Sequence, residues 1–463
     1  MLQARHRIML IGWDFDTRIH LAHGRRWWEK GRSREHPSRL GSFIPWLTRH
    51  RPGLDIRLLK WSVGLTKLLV RGAMVLDLLR WLPRRRIDFK SDTAHPLGAC
   101  HHQKIAVIDD VLAVCGGIDM TGGRWDTREH REFDRRRRGP GGRRYGPWHD
   151  ATLMAEGPIA ASLSELGRDR WCRAGGEHLE PVACSESRWP EALEIQFENV
   201  EIGISRTRAA YRGAPQVSEI AELFERQILA ARSHIYAESQ YFASRRIAEA
   251  LCRRLMEPDP PEVLIVHPAN ADGWLEQQAM DHARAELVRT LGEADPQGRF
   301  NLFVPYAGET PIYVHAKLMI VDDRVLHIGS ANMNNRSMGL DSECDLTIDA
   351  ARPGNAHAAD AIAALRHSLL AEHCGIDPAQ VPALLARAGS MRAMIELLGR
   401  ERVRTLRRFE LDRPGPVLEK LAESQLLDPE KPQELFEPFA KGGLFRKRML
   451  LSRIRNRLKG RAA

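Results

Sequence analysis

Two short stretches carry residue types that could do chemistry together. His102-Gln103-Lys104 and His315-Ala316-Lys317 are each followed by four apolar residues and an aspartate, Asp109 and Asp322. In an extended strand, residues i and i+2 project from one face, so His102 with Lys104, and His315 with Lys317, would point together. If the two stretches meet, two imidazoles and two ammonium groups converge, and such a pocket suits a phosphate diester. The lysines would neutralise the non-bridging oxygens where charge grows in the transition state. One histidine could attack phosphorus and form a phosphohistidine; the other would protonate the leaving alcohol and then deprotonate the incoming water or alcohol. A carboxylate behind each ring would help to set its protonation state. A metal site fits poorly: the lysines aim at the same point, and the chain has no HExxH or clustered Cys/His spacing. We therefore expect no catalytic metal and no cofactor.

The elements that must position these residues are hairpins. IAVI and LMIV read as short strands, Asp109-Asp110 and Asp322-Asp323 as turns, and the chain returns to Gly116-Gly117 or Gly329-Ser330. Small residues there would let backbone N–H groups and the Asn332 amide approach the phosphate oxygens.

The hairpins belong to a longer repeat. Met1–Phe15 aligns with Ile228–Phe242 at an offset of 227 (228 − 1), and the motifs repeat at 213 (315 − 102). Two signals in one order imply two homologous halves, the first longer between them by 14 residues (227 − 213). In the second half the aligned segment ends a helix starting near Gln216, whereas the first half begins there, so we expect its opening helix to be clipped. Asp55–Trp61 and Glu262–His267 read as buried strands, each before a helical stretch, Leu65–Leu82 and Trp274–Leu291. This alternation predicts an α/β class: two homologous α/β/α sandwich halves with mixed sheets, related by a pseudo-twofold axis, plus a helical C-terminal tail. The expected bounds are 1–190, 191–375 and 376–463, with helices at Ala356–Leu370, Ala379–Arg400 and, basic and amphipathic, Leu444–Arg461.

The 463 residues suit two to three domains or a fused duplicate. The formal net charge of +10 favours anionic partners without choosing among them. Seven cysteines with no CxxC pair argue for reduced thiols. Met1–Ile11 lacks a signal-peptide layout, and Val63–Leu82 is an apolar stretch too interrupted by charge and glycine to span a bilayer. The expected location is the cytoplasm, peripheral on the inner face of the membrane.

With both motifs in view, the sequence resembles the phospholipase D superfamily over about Met1 to Leu370. GGIDMTGGRWD (Gly116–Asp126), PWHD (Pro147–Asp150), AESQYF (Ala237–Phe242) and GSANMNNRSMGLDSE (Gly329–Glu343) are similar to its lipid-cleaving branch. The resemblance implies His102 as nucleophile and His315 as general acid in a nearly symmetric site, Lys104 and Lys317 on phosphate, and Glu343 orienting one imidazole. Asp150 would serve the other ring, with His149 as competitor. Asn332 completes the implied site; Asp109 and Asp322 are counted with it but read as stabilising the hairpins rather than touching substrate. Two departures stand out: Ser239 replaces the usual Asn before Gln-Tyr-Phe, and Asp119 replaces the Asn at the first half's equivalent of Asn332.

What the resemblance implies is a phospholipase D or transphosphatidylase acting on a glycerophospholipid with water or an alcohol as acceptor. Cardiolipin-type phosphatidyl transfer is the same chemistry. A nuclease is the second reading, supported by charge alone, since aromatic content is 6% and no aromatic–basic interleaving suggests stacking platforms, so a nucleic-acid partner is not expected. A binding protein is the third, and intact motifs speak against it. We expect a monomer that docks weakly on anionic membranes through the tail, each basic residue there adding about 1 kcal/mol near the surface; the alternative is a tail packed on the body. The loop from Arg135 to Arg144 is read either as a head-group attractant or as a mobile, solvated segment. Trp125 and Trp148 are read as anchors of its ends, and Trp13 and Tyr241 as pocket edge.

Overall fold

The computed structural model describes residues 1–21, 36–61, 72–270 and 274–409. Two sheets dominate it. The first is built from β1 (Arg7–Gly12), β2 (Asp55–Trp61), β3 (Ile87–Asp92), β4 (Ile105–Ile108) and β5 (Leu112–Gly116). A short β6 (Trp148–His149) leaves the sheet before β7 (Thr152–Glu156) closes it, in the order β3-β2-β1-β4-β5-β7. The second sheet begins with β8 (Ile202–Arg208), β9 (Val217–Ser218), β10 (His234–Ser239), β11 (Glu262–Val266), β12 (Phe300–Ala307) and β13 (Thr310–Pro311). After a short β14 (Tyr313–Val314) outside the sheet come β15 (Lys317–Val321), β16 (Val325–Gly329), β17 (Glu343–Asp349) and β18 (Arg404–Arg408). Its central order, β12-β11-β10-β15-β16-β17, repeats the first sheet strand for strand, with the same parallel and antiparallel neighbours.

The repeat extends to register. Met9 faces Val107 in the first sheet and Tyr236 faces Ile320 in the second, at offsets of 227 (236 − 9) and 213 (320 − 107). The isolated bridges Phe15 to Met120 and Phe242 to Met333 obey the same two offsets. Because a one-residue slip would turn every side chain to the wrong face, shared register means shared placement of the motif residues.

Helices cover the sheets: α1 (Leu40–His50), α2 (Gly72–Trp81), α3 (Pro158–Arg173), α4 (Glu219–Ala230), α5 (Arg245–Leu255), α6 (Trp274–Glu293), α7 (Asn335–Gly339), α8 (Ala359–Cys374), α9 (Val381–Ala388) and α10 (Met391–Leu398). Phe43, Ile44 and Leu47 of α1 pack on Ile8, Leu10, Ile56 and Leu58, one face of the first sheet. On its other face Leu163 and Trp171 of α3 meet Met9, Val107 and Leu59, and Cys344 and Leu346 of β17 join them. That shared cluster welds the two sheets together, each buried side chain of this size contributing roughly 1.5–3 kcal/mol.

Several expectations shift. The helix expected from Ala379 to Arg400 is two, α9 and α10, because Gly389 takes φ 79° and Ser390 caps the next helix by accepting from the Ala393 N–H at 3.0 Å. α4 begins at Glu219, since Val217 and Ser218 are spent on β9. β18 is a strand within a stretch read as helical, and it pairs with β12 at the edge of the second sheet. The stretch from 62 to 71 and the tail from 410 onward, including Leu444–Arg461, lie outside the described residues. No helix among the described residues is long and apolar enough to cross a membrane.

Candidate active site

Each motif histidine sits just before the strand that its sequence predicts, and each is fixed by the opposite half. The His102 N–H donates to the Ser342 carbonyl at 2.9 Å, and the His315 N–H to the His149 carbonyl at 2.7 Å. β6 and β14 run parallel in a two-stranded ladder that makes the second of these crossings. The carboxylates follow the same exchange. Glu343 of the second sheet lies 3.0 Å from His102 Nδ1, and Asp150, next to the first sheet, lies 2.7 Å from His315 Nδ1. With Nδ1 committed, Nε2 is the nitrogen left for chemistry on each ring. Between the two candidates for the His315 partner, geometry chooses Asp150; His149 turns to other carboxylates.

Glu343 is buried and also accepts from the Ser330 and Ser337 hydroxyls, at 2.5 and 2.7 Å. Lys104 Nζ donates to the His102 carbonyl at 2.8 Å and stands 3.4 Å from Asp119. Lys317 Nζ donates to the His315 carbonyl and to Gln240 Oε1, the latter at 3.0 Å. Asn332 is 3% exposed, and its Oδ1 has no hydrogen-bond partner among the described residues. Asp119 occupies the position equivalent to Asn332 and accepts from the Trp13 N–H at 2.9 Å, so the Asn-to-Asp departure gives Lys104 an acid neighbour. Ser239, the other departure, donates to the Tyr241 carbonyl at 2.7 Å and accepts from the Met333 N–H at 3.1 Å.

Electrostatics tie these groups into one cluster. Burial, then Lys104 and Lys317, push the His102 imidazolium well below the usual histidine value. Burial, then Lys317, Arg124 and Lys104, do the same to His315. Burial raises the carboxyls of Glu343 and Asp150. Lys317 is lowered to about 7 by burial, against the pull of Asp150. A desolvated pocket crowded with positive charge is stabilised by an anion.

Asp109 and Asp322, grouped with the site residues in the sequence reading, stand elsewhere. They lie beyond the far ends of β4 and β15, at φ 52° and 54°, and take their hairpin turns through the left-handed region together with Asp110 and Asp323. Asp109 accepts from the N–H groups of Arg5, His6 and Arg7, and Asp322 from those of Arg232, Ser233 and His234, at 2.7–2.9 Å. Their role is to tie each turn to the first strand of its half.

The structure adds residues that the sequence reading missed. Trp148 is no mere loop anchor: its ring lies 5.0 Å from that of His315 and stacks on Tyr313 at 4.7 Å, with the Arg124 guanidinium 4.2 Å from its centre. Tyr313 falls two residues before His315, the signal that the strand period offered. Trp13 stacks on Trp61 at 5.9 Å, and Tyr241 is half-buried. The arginine-rich loop is partly structural: Arg137 is buried and donates to Asp126 and to the Arg131 and Glu132 carbonyls.

Beside the site runs a buried relay. His130 Nε2 and His149 Nδ1 both meet Glu372 Oε1, at 2.9 and 3.0 Å, and His149 Nε2 meets Glu238 at 2.6 Å. Glu238 continues to His373 at 2.9 Å. Its His and Glu atoms lie close enough together to surround an ion in two overlapping groups, His130-His149-Glu372 and His149-Glu238-His373. Every one of those atoms is already engaged within the relay, which accounts for the cluster without a metal. Burial works against the His149 imidazolium, but Glu238 and Glu372 on its two nitrogens outweigh it and hold its pKa well above the usual value.

A family profile described as Phospholipase D matches residues 303–400, which include His315, Lys317, Asn332 and Glu343. Phospholipase D alpha 1 of Nicotiana tabacum is 24% identical, over 76% of this chain and 59% of its own length. These similarities support membership of the phospholipase D superfamily. Phospholipase D alpha 1 of Brassica oleracea var. capitata is 26% identical, over 61% of this chain and 50% of its own. The chain thus spans about half to three-fifths of the length of these curated superfamily relatives. A solved phosphatidylserine synthase from Haemophilus influenzae Rd KW20 shares the superfamily fold, with a TM-score of 0.51 at 14% identity, over 90% of this chain and 87% of that one.

Proposed function

We propose that the chain is a phospholipase D or phosphatidyltransferase that cleaves the distal phosphodiester of a glycerophospholipid, its site shared between halves at 1–190 and 191–375. The observation that carries this reading is the pairing of each motif histidine with a carboxylate of the other half, beside Lys104 and Lys317. In the proposed course, His102 Nε2 attacks phosphorus while His315 delivers a proton to the departing head-group oxygen. The phosphatidyl group is left on His102. Water or an alcohol then gives its proton to His315 and displaces the histidine, restoring both rings. Lys104, Lys317 and the Asn332 amide neutralise the oxygens of the pentacoordinate state.

Transfer to an alcohol, as in cardiolipin-type synthesis, needs only a different acceptor. Lipid is favoured over nucleic acid by the names of the relatives and by the lipid-branch segments around the motifs. Docking of the chain as a monomer on an anionic membrane belongs to the same reading. The test is turnover of short-chain phosphatidylcholine and phosphatidylglycerol, with and without added alcohol, against plasmid DNA. Lipid turnover lost in both His102→Ala and His315→Ala supports the proposal; DNA cleavage without lipid turnover overturns it.

A further inference from the structure

The strand segment carrying His102 has two faces. His102 and Lys104 look toward the site described above; His101 and Gln103 look the other way, into a cavity of about 180 Å³ between the two halves. That is the space of about six water molecules. Its wall holds five arginines, Arg170, Arg173, Arg206, Arg208 and Arg212, against two aspartates, Asp92 and Asp169.

Three of the five are answered by acids. Arg170 donates to Asp92 at 2.7 Å and Arg173 to Asp169 at 2.8 Å, while Arg206 grips Glu219 at 2.6 and 2.9 Å. Arg208 and Arg212 form no ion pair with a carboxylate among the described residues. Among the described residues Arg208 Nη2 reaches only the Pro215 carbonyl, at 3.3 Å, and its buried Nε has no hydrogen-bond partner. Burial, then Arg173, lower the Arg208 guanidinium below its usual value, against the pull of Asp169 and Glu219. His101 is pushed down to about 4 by burial, then Arg170, so at neutral pH it adds no charge and the arginines set the sign.

We propose that this cavity binds a phosphate monoester, a compact dianion whose oxygens engage Arg208 and Arg212. Guanidinium groups suit phosphate because their planar forks present paired donors. The site touches the reverse side of the catalytic strands: His101 Nδ1 lies 2.7 Å from the Ser342 hydroxyl, and His102 and Glu343 are the next residues along. Occupancy would hold together the crossing that seats Glu343 against His102.

The ligand could be a free metabolite or a lipid head group, and the experiment separates these sources. Glycerol 3-phosphate is titrated calorimetrically into the full chain, into a Lys104→Met/Lys317→Met variant that removes the phosphate donors of the other site, and into that variant with Arg208→Gln and Arg212→Gln added. We expect one site to survive in the lysine variant and to weaken at least tenfold, about 1.4 kcal/mol, in the combined one. In the otherwise native chain, R208Q/R212Q should lower the stoichiometry from two to one, a reading that does not depend on the lysine variant folding. Vesicles of phosphatidic acid in phosphatidylcholine, against phosphatidylcholine alone, form the second arm. Binding to glycerol 3-phosphate assigns a free monoester; binding only to the acidic vesicles, lost in R208Q/R212Q, assigns a head group. The proposal is overturned if R208Q/R212Q leaves affinity and stoichiometry unchanged, or if neither probe binds the lysine variant and the native chain holds one ligand.

Discussion

Glu343 lies 3.0 Å from His102 Nδ1 although 241 residues separate them, and in return the first half lends Asp150 to His315. Neither imidazole is oriented by its own half.

Loss of either carboxylate should therefore disable one ring and spare the fold. Glu343→Gln and Asp150→Asn keep shape but not charge, and each should lower kcat by about 10²–10⁴-fold, because the ring loses its preferred tautomer and the support of its cationic form. Steady-state lipid turnover alongside thermal melts makes the comparison. A melt shifted as far as that of a destabilised core variant would assign these groups to stability instead.

The pH profile should report Lys317. Burial lowers its pKa to about 7, so the free protein loses that positive charge as pH rises through neutrality. A bound phosphodiester supplies the missing negative charge and moves the pKa back up. kcat/KM should accordingly fall on the alkaline side from near pH 7, and the fall in kcat should begin at higher pH. Lys317→Arg, which stays charged, should remove the alkaline fall in kcat/KM that begins near neutrality, whatever its absolute rate.

His149→Leu should cost stability on the order of 3–5 kcal/mol, since it takes a buried charged partner from two acids at once, leaving Glu238 to His373 and Glu372 to His130 and Arg128. Urea unfolding measures it. The sign with pH is defined: a raised histidine pKa contributes stability that is complete below the ordinary histidine value and fades as pH rises through the raised one. The gap between wild type and variant should narrow toward alkaline pH; a gap that widens there would contradict the relay.

Trp148→Ala should reduce kcat by about tenfold or more, because a catalytic ring displaced by as little as an ångström loses that much or more. Trp148→Phe keeps an aromatic face against His315 and should recover most of the loss. Equal defects in both variants would remove Trp148 from the positioning of that ring.

Asp109→Ala and Asp322→Ala should lower stability without touching chemistry. Each takes the acceptor from three backbone N–H groups leading into β1 or β10, at a cost of roughly 1–3 kcal/mol for a donor shielded from water. The expected pattern is an earlier denaturant midpoint with kcat within about twofold of wild type at a temperature where the variant stays folded.

Much of this was legible beforehand for a definite reason. The strand period places His102 with Lys104 and His315 with Lys317, and the offsets 227 and 213, read from similarity alone, are the offsets of the strand registers. Asp-Asp turns announced the hairpins, since aspartate tolerates positive φ. What the motifs and the strand period could not give by themselves was the approach between the halves; Asp150 and Glu343 as ring partners came from the resemblance. The motifs do not state that Asp150 rather than His149 reaches His315, because the two adjacent residues differ only in which face of the chain they leave. Arg366, far from either motif, clamps Asp323 with two bonds of 2.6 Å, and no local pattern points to it. Trp148 likewise looked like loop punctuation until β6 paired with β14 and laid it on Tyr313. β18 escaped notice because an edge strand reading RTLRR, with a single leucine, carries little hydrophobic signal.

The exchange of carboxylates also acts as a timer. A ribosome delivers His102 long before Glu343, at a pace of about 5–20 residues per second, so the first histidine waits many seconds for its partner. Over that interval the nascent chain holds an imidazole with no acid behind it. On the proposed reading, turnover would then arrive all at once, when the second half docks, and a truncated product would carry none.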